Sequence, residues 1–265
     1  MQSVYVQQLE LLTPGLAGWI GALPFLQGQT FCAPAEINSV YKPQLLPPNE
    51  RRRATKLTRL AFALGELFLQ RNQHSSPEYW QSVFASSGGD YQIIDAMCRD
   101  LACDTAISPT QFHNSVHNAV AGYWSIATGG QLASTSISAF EHTLAAGLFE
   151  AAVWASCSDA PVFLCAYDAP PPPLLAAISS ITTEFSTGLL LSGTPSDQDV
   201  AKLSLAFAQN ACASVCQNPG LEQLRLTNPA ARVLPLAELI ANKQNGDFIL
   251  PFNAQYMVIK VEYAG

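Results

Sequence analysis

The chain has 265 residues, of which 49% are apolar and only 12% charged, with a formal net charge of −7. A globular protein of this size can bury a sizeable core, and a charged fraction well under the usual ~25% implies that part of its surface is covered by another molecule. The acidic balance argues against nucleic acid or an anionic membrane surface as the main partner, because both are bound through clustered Lys and Arg. No apolar run is long or charge-free enough to span a bilayer, and no basic segment precedes a hydrophobic one at Met1 to Leu12, so a cytoplasmic location without export is expected. Seven cysteines, Cys32, Cys98, Cys103, Cys157, Cys165, Cys212 and Cys216, form an odd set that suits reduced thiols.

In chain order, Ser3 to Leu12 begins with alternation around Val4 and Val6 and predicts a strand, closed by the turn Thr13-Pro14-Gly15 and a short helix through Trp19. A loop carrying Pro34, Pro43, Pro47 and Pro48 leads to Arg51 to Arg71, where Leu57, Leu60, Ala61, Leu64, Leu67 and Phe68 recur at helical spacing. Trp80 to Ala85 predicts a buried strand, and Ser86-Ser87-Gly88-Gly89-Asp90 a loop capping a helix from Tyr91. Then follow a helix over Phe112 to Thr128, a short strand Ser134 to Ser138, an Ala-rich helix His142 to Ser156, and an apolar strand Pro161 to Tyr167 buried on both faces. The run Pro170 to Pro173 must be extended, since proline fixes its own φ and restricts the residue before it. Strands over Gly188 to Ser192 and Lys202 to Phe207, a helix over Pro229 to Ala241 and a terminal strand Tyr256 to Tyr263 complete a layered α/β pattern without internal repeats.

Several landmarks then fall in order. Ser108-Pro109, Asn118 with Ala121-Gly122, the segment Ser134-Thr135-Ser136-Ile137, and Asp159-Ala160 followed by Pro161 to Asp168 together resemble the nucleophile region of β-ketoacyl synthases. Thr13-Pro14-Gly15, Glu50 to Arg53 and Gly88-Gly89 resemble that family's first half as well. The likeness covers roughly the first two thirds of the chain, and its shortness resembles a truncated chain-length factor of type II, aryl polyene-like polyketide systems. It implies a thiolase-like half-fold: a mixed central sheet with helices on both faces, lacking the second ketosynthase half. A single domain is expected, with residues 1–195 resembling the ketosynthase first half and 196–265 an unassigned extension packed on it.

The family places a cysteine at the tip of a strand-to-helix turn, where backbone N–H groups and the helix dipole lower its pKa. An ungapped match sets Glu141 there, and a two-residue gap sets Ala139; either removes the nucleophile. The two motifs that carry the family's catalytic histidines are absent, and the four histidines, His74, His113, His117 and His142, all lie in the first half. The resemblance therefore implies a non-catalytic subunit that heterodimerises with an active ketosynthase, meets acyl carrier protein only indirectly, and uses no cofactor. The strand Ser134, Thr135, Ser136, Ile137 and Ser138 would form the dimer interface, and Thr110, Gln111 and Phe112 would reach the floor of the partner's acyl pocket as a gate.

Plainer readings stand beside these. Glu141 also suits a carboxylate favoured by a helix N-terminus. His113 and His117 have the i, i+4 spacing of a metal-binding helix but no third ligand in context, and neither Cys98 with Cys103 nor Cys212 with Cys216 makes a C-x-x-C pair. Ser115 and Ser138 lack a G-x-S-x-G setting. Two other functions stay open: an active acyltransferase or condensing enzyme that uses a non-standard nucleophile, and a stand-alone acyl-binding protein.

Overall fold

A computed structural model describes residues 3–30, 40–72 and 75–265; Cys32, Pro34 and His74 lie outside the described residues. The chain opens with β1 (Ser3–Thr13), which turns back through β2 (Leu16–Ala17) into α1 (Gly18–Leu26). The long helical stretch expected from residue 51 is two helices, α2 (Pro48–Arg53) and α3 (Lys56–Arg71). The break has a local cause: Thr55 is an N-cap whose hydroxyl accepts from the Thr58 N–H, and Arg59 donates to the Arg51 and Ala54 carbonyls freed at the end of α2.

Next come β3 (Gln81–Ala85) and α4 (Tyr91–Ala102), the helix capped by Asp90 through the Ile93 N–H. The single helix expected over 112–128 is also two, α5 (Pro109–Asn114) and α6 (Ala119–Thr128). Buried Asn114 separates them, donating to the Arg53 carbonyl at 2.9 Å and accepting from the Tyr123 hydroxyl at 2.8 Å. These bonds tie the end of α5 to α2 and fold α6 back. After β4 (Ser134–Ile137) and a single 3₁₀ turn comes α7 (Thr143–Cys157), then β5 (Val162–Asp168), buried at every position, and β6 (Phe185–Ser192).

The last part carries β7 (Ala201–Ala208), α8 (Pro219–Thr227), α9 (Leu234–Ala241), β8 (Gly246–Phe252) and β9 (Gln255–Tyr263). Neither α8 nor β8 was anticipated in the sequence reading. Asn218 starts α8 by accepting from the Gly220 and Leu221 N–H groups, while its amide donates to the Phe25 and Thr30 carbonyls, so the cap is also a long-range tether.

All of these strands join one sheet in the order β4-β3-β5-β6-β1-β7-β9-β8, with β2 beside β1. It is mixed: β3 runs parallel to β4 and β5, and every other pairing is antiparallel. One face packs on α3 and α6 through Leu60, Phe62, Phe68, Trp124 and Phe163. The opposite face curls around α7, which lies against β3, β5 and β6 on one side while Phe149 meets Phe207 of β7 at 5.4 Å and Phe252 of β8 at 6.2 Å. Gly147 allows that close approach: a Cβ there would stand 2.9 Å from the Ala85 Cβ and 3.1 Å from a Leu164 methyl. The architecture is the expected mixed sheet with helices on both faces. Among the described residues no helix is long and apolar enough to cross a membrane.

Candidate functional site

In α/β proteins with parallel strands, ligands and chemistry gather beyond the carboxyl ends of those strands. Here that end joins three segments: residues 86–90 after β3, 138–142 after β4, and 168–173 after β5. The middle segment is a strand-to-helix turn. Phe140 sits at its tip with φ of +47°, an uncommon value for a bulky residue, and its ring is 79% exposed. Thr143 holds the turn closed, its hydroxyl accepting from the Ala139 N–H and donating to the Phe140 carbonyl.

Glu141 stands one residue beyond the tip, half exposed, with its carboxylate paired to Arg232. Arg232 also donates to the Glu141 backbone carbonyl, and Ser180 donates to Glu141 Oε1 at 3.4 Å. Burial lowers the Arg232 pKa, and the facing Glu141 opposes that shift. On the other side of the turn, His142 Nδ1 lies 3.1 Å from the Pro251 carbonyl. Residues from the last part of the chain thus flank the turn and leave its tip open.

Beneath it lies a buried polar knot. Asp168 Oδ1 accepts from the Ser86 hydroxyl, the Ser87 hydroxyl and the Ser87 N–H, at 3.1, 2.8 and 2.8 Å. Asp168 Oδ2 is buried with no hydrogen-bond partner among the described residues. Desolvation pushes the Asp168 pKa up to about 6, outweighing the bonds from Ser87 and Ser86 and the Ala230 N–H nearby. Ser138, at the end of β4, donates to the Ser87 carbonyl at 2.8 Å, and His117 Nε2 lies 3.1 Å from the Ser86 carbonyl. Tyr91 folds over Gly88, where a Cβ would stand 2.0 Å from the phenol ring. Its pKa is raised by burial and then by Asp168 and Glu141.

His113 and His117 do not share a helical face, since α5 ends at Asn114 between them, and His113 instead packs edge-on against Tyr123. Buried Cys165 and Cys216 are held as thiols, because desolvation lifts the first to about 12 and the second higher still. Cys98, Cys103, Cys157 and Cys212 are exposed.

Beside the turn, β4 is the outer strand of the sheet. The Ala133 and Ile137 carbonyls accept from the N–H groups of Ser82 in β3 and of Ser86 just after it, so by the two-residue period of a strand the N–H and C=O of Ser134 and Ser136 point away from the sheet. A shallow cleft of about 540 Å³ runs along this edge between Thr135 and the α6 residues Ala121 and Gly122. On α4, which packs against α5, no residue is buried, and Ile94, Cys98 and Leu101 are exposed at i, i+4 and i+7.

The residues singled out in the sequence are unequally placed. Thr110 is exposed, Gln111 folds back so that its Oε1 accepts from the Ser108 N–H at 3.1 Å, and Phe112 projects with 64% of its surface open. The knot around Asp168 was missed. Its signal was an acid terminating a wholly apolar strand, whereas nothing local marked Arg232.

Residues 28–245 match the family model described as β-ketoacyl synthase, N-terminal domain, and the chain belongs to that family. No curated protein matches it in sequence. Its fold is shared with solved structures. One is a ketosynthase in complex with its chain length factor (ApeO with ApeC) from Xenorhabdus doucetiae, at 22% identity and a TM-score of 0.72, covering 98% of this chain and 100% of that one. The ishigamide ketosynthase/chain length factor matches at 10% identity over the whole of both chains, with a TM-score of 0.77. A β-ketoacyl synthase from Burkholderia phymatum does so at 10% identity, also over both whole chains, with a TM-score of 0.66.

Proposed function

We propose that this chain is a non-catalytic, chain-length-factor-like subunit that heterodimerises with an active β-ketoacyl synthase and shapes that partner's acyl pocket, in polyene, polyketide or fatty-acid-type synthesis. The observation that carries the reading is the turn after β4. Where condensing members of the resembled family present a thiol, this turn presents Phe140, Glu141 and His142. A carboxylate is a poor acyl acceptor, and this one is committed to Arg232. The imidazole of His142 has Nδ1 directed at the Pro251 backbone carbonyl, 3.1 Å away.

The partner's place is supported by the open edge of β4 and the apolar stripe of α4. An unpaired strand edge is a template for another chain, and an apolar helix stripe left in water favours burial against one. Phe112 suits the gate role, because its ring extends into open space while Gln111 is occupied in capping its own helix. In this reading residues 196–265 brace the turn through Arg232 and Pro251, and acyl carrier protein docks on the partner.

The test is co-expression with the ketosynthase encoded nearest to this chain, sizing of the complex, and mass spectrometry of its products. A one-to-one complex is expected. Ser136→Pro removes an outward N–H without touching the bonds to β3 and is expected to abolish the complex while leaving the chain folded. Phe112→Ala is expected to lengthen the products of an assembled complex. An isolated chain that becomes stoichiometrically acylated and elongates an acyl thioester would overturn the proposal.

A further inference from the structure

Strand β7 is shorter than its neighbour. It pairs with β1 only from Ser3 to Val6, and the Val200 N–H closes the ladder on the Val6 carbonyl. Beyond that point β1 runs on to Thr13 with a notch beside it. The ends of α1, α3, α9 and β9 meet around the notch and leave a cavity of about 240 Å³, separated from β4 by β3, β5 and β6.

The lining has a definite chemistry. Leu23 and Ile240 supply apolar wall, Trp19 and Tyr263 supply rings, and Arg71 and Lys243 supply positive charge. Arg71 is held from three directions: Nε pairs with Glu10 at 2.8 Å, a terminal nitrogen donates to the Leu9 carbonyl at 3.3 Å, and the guanidinium lies 5.9 Å from the centre of the Trp19 ring. A guanidinium has five N–H donors, and these contacts use two of them. Glu10 sits behind Arg71, 1% exposed, and its oxygens are taken by the Trp19 N–H, Gln8 and Arg71 itself. Lys243 makes no ion pair among the described residues. In a chain of net charge −7, two cations and no acid stand among the described residues that line this cavity, and Glu10 behind Arg71 is already occupied.

We infer that this cavity binds a small amphiphilic carboxylate, with the carboxylate on Arg71 and Lys243 and the hydrocarbon or ring body between Trp19, Leu23, Ile240 and Tyr263. The volume equals that of about eight waters, which suits a ligand of about ten non-hydrogen atoms such as octanoate. A pre-held guanidinium fits a carboxylate through paired N–H bonds, and an apolar body explains why rings and aliphatic side chains line the rest. The inference rests on the cavity alone and is independent of the partner-subunit reading.

The experiment is calorimetric and Trp-fluorescence titration of the full, unpartnered chain with octanoate, and in parallel with octanol and octylamine. Saturable octanoate binding with a Kd of about 0.1–1 mM is expected, with both uncharged and cationic analogues at least about tenfold weaker. Lys243→Glu, on an exposed residue and with retained folding checked by circular dichroism, is expected to weaken octanoate about tenfold, and raised salt to weaken it further. Absence of saturation up to about 10 mM, octanol binding as well as octanoate, or an affinity unmoved by Lys243→Glu would each overturn the inference.

Discussion

Replacing Asp168 by Asn isolates the energetics of the buried knot under the candidate site. The carboxyl is fully buried, and its pKa rises from the ordinary 3.8 to about 6. The folded chain therefore holds a proton that the unfolded chain releases between about pH 4 and about pH 6. The stability associated with that proton is fully present below the unfolded value and is lost as pH climbs through the folded one. A shift of about two pKa units corresponds to about 3 kcal/mol, so the parent chain becomes less stable by about that amount between about pH 3 and pH 7 through this group. Asn keeps an acceptor for the Ser86 and Ser87 donors but has no proton to lose. The unfolding free energy of Asp168→Asn relative to the parent should thus move by about 3 kcal/mol in the variant's favour across this interval. Taking the difference also removes the contributions of Glu10 and Glu238, which burial raises equally in both proteins. The assay is urea unfolding followed by circular dichroism at half-unit pH steps, at low micromolar protein because the interval spans the isoelectric point near 5.0. A gap between the two proteins that stays constant with pH, or that moves in the parent's favour as pH rises, would refute the reasoning by showing that the serines stabilise the anion at least as much as burial penalises it.

Three other substitutions probe the framework. Gly193→Ala puts a Cβ 2.0 Å from the Ala155 carbonyl oxygen, a backbone atom that cannot swing aside, and should destabilise by about 2 kcal/mol or more in denaturant titration. Glu141→Gln breaks an ion pair with a half-exposed carboxylate and should change stability by less than about 1 kcal/mol, as read by thermal unfolding. Leu101→Asp, on the exposed stripe of α4, should leave the fold intact while weakening the complex with a ketosynthase at least about tenfold, as read by sizing and pull-down.

Much of the architecture was legible because it is local. The alternation around Val4 and Val6, the all-apolar run before Asp168 and the helical spacing from Leu57 to Phe68 each correspond to one observed element. The helix breaks at Ala54 and Ser115 were not legible, because they depend on Arg59 reaching carbonyls of the preceding helix and on Asn114 bonding to Arg53 and Tyr123. The start of α8 was missed for a related reason: Asn218 resembles any turn residue until its amide is seen tethering Phe25 and Thr30.

The candidate site divides the same way. That the turn after β4 offers no thiol, and that Glu141 stands beside its tip, are facts of residue identity and are complete in the linear chain. Tertiary structure alone decided what surrounds Glu141. Arg232 and Pro251 arrive from far along the chain, Asp168 finds Ser86 and Ser87 across two parallel strands, and Arg71 and Lys243 meet around a notch left by a short strand. Periodicity and caps act over a few residues and so are written in the sequence, while burial, pairing and the positions of charges depend on contacts between residues tens to hundreds of positions apart, which exist only once the sheet has closed around α7.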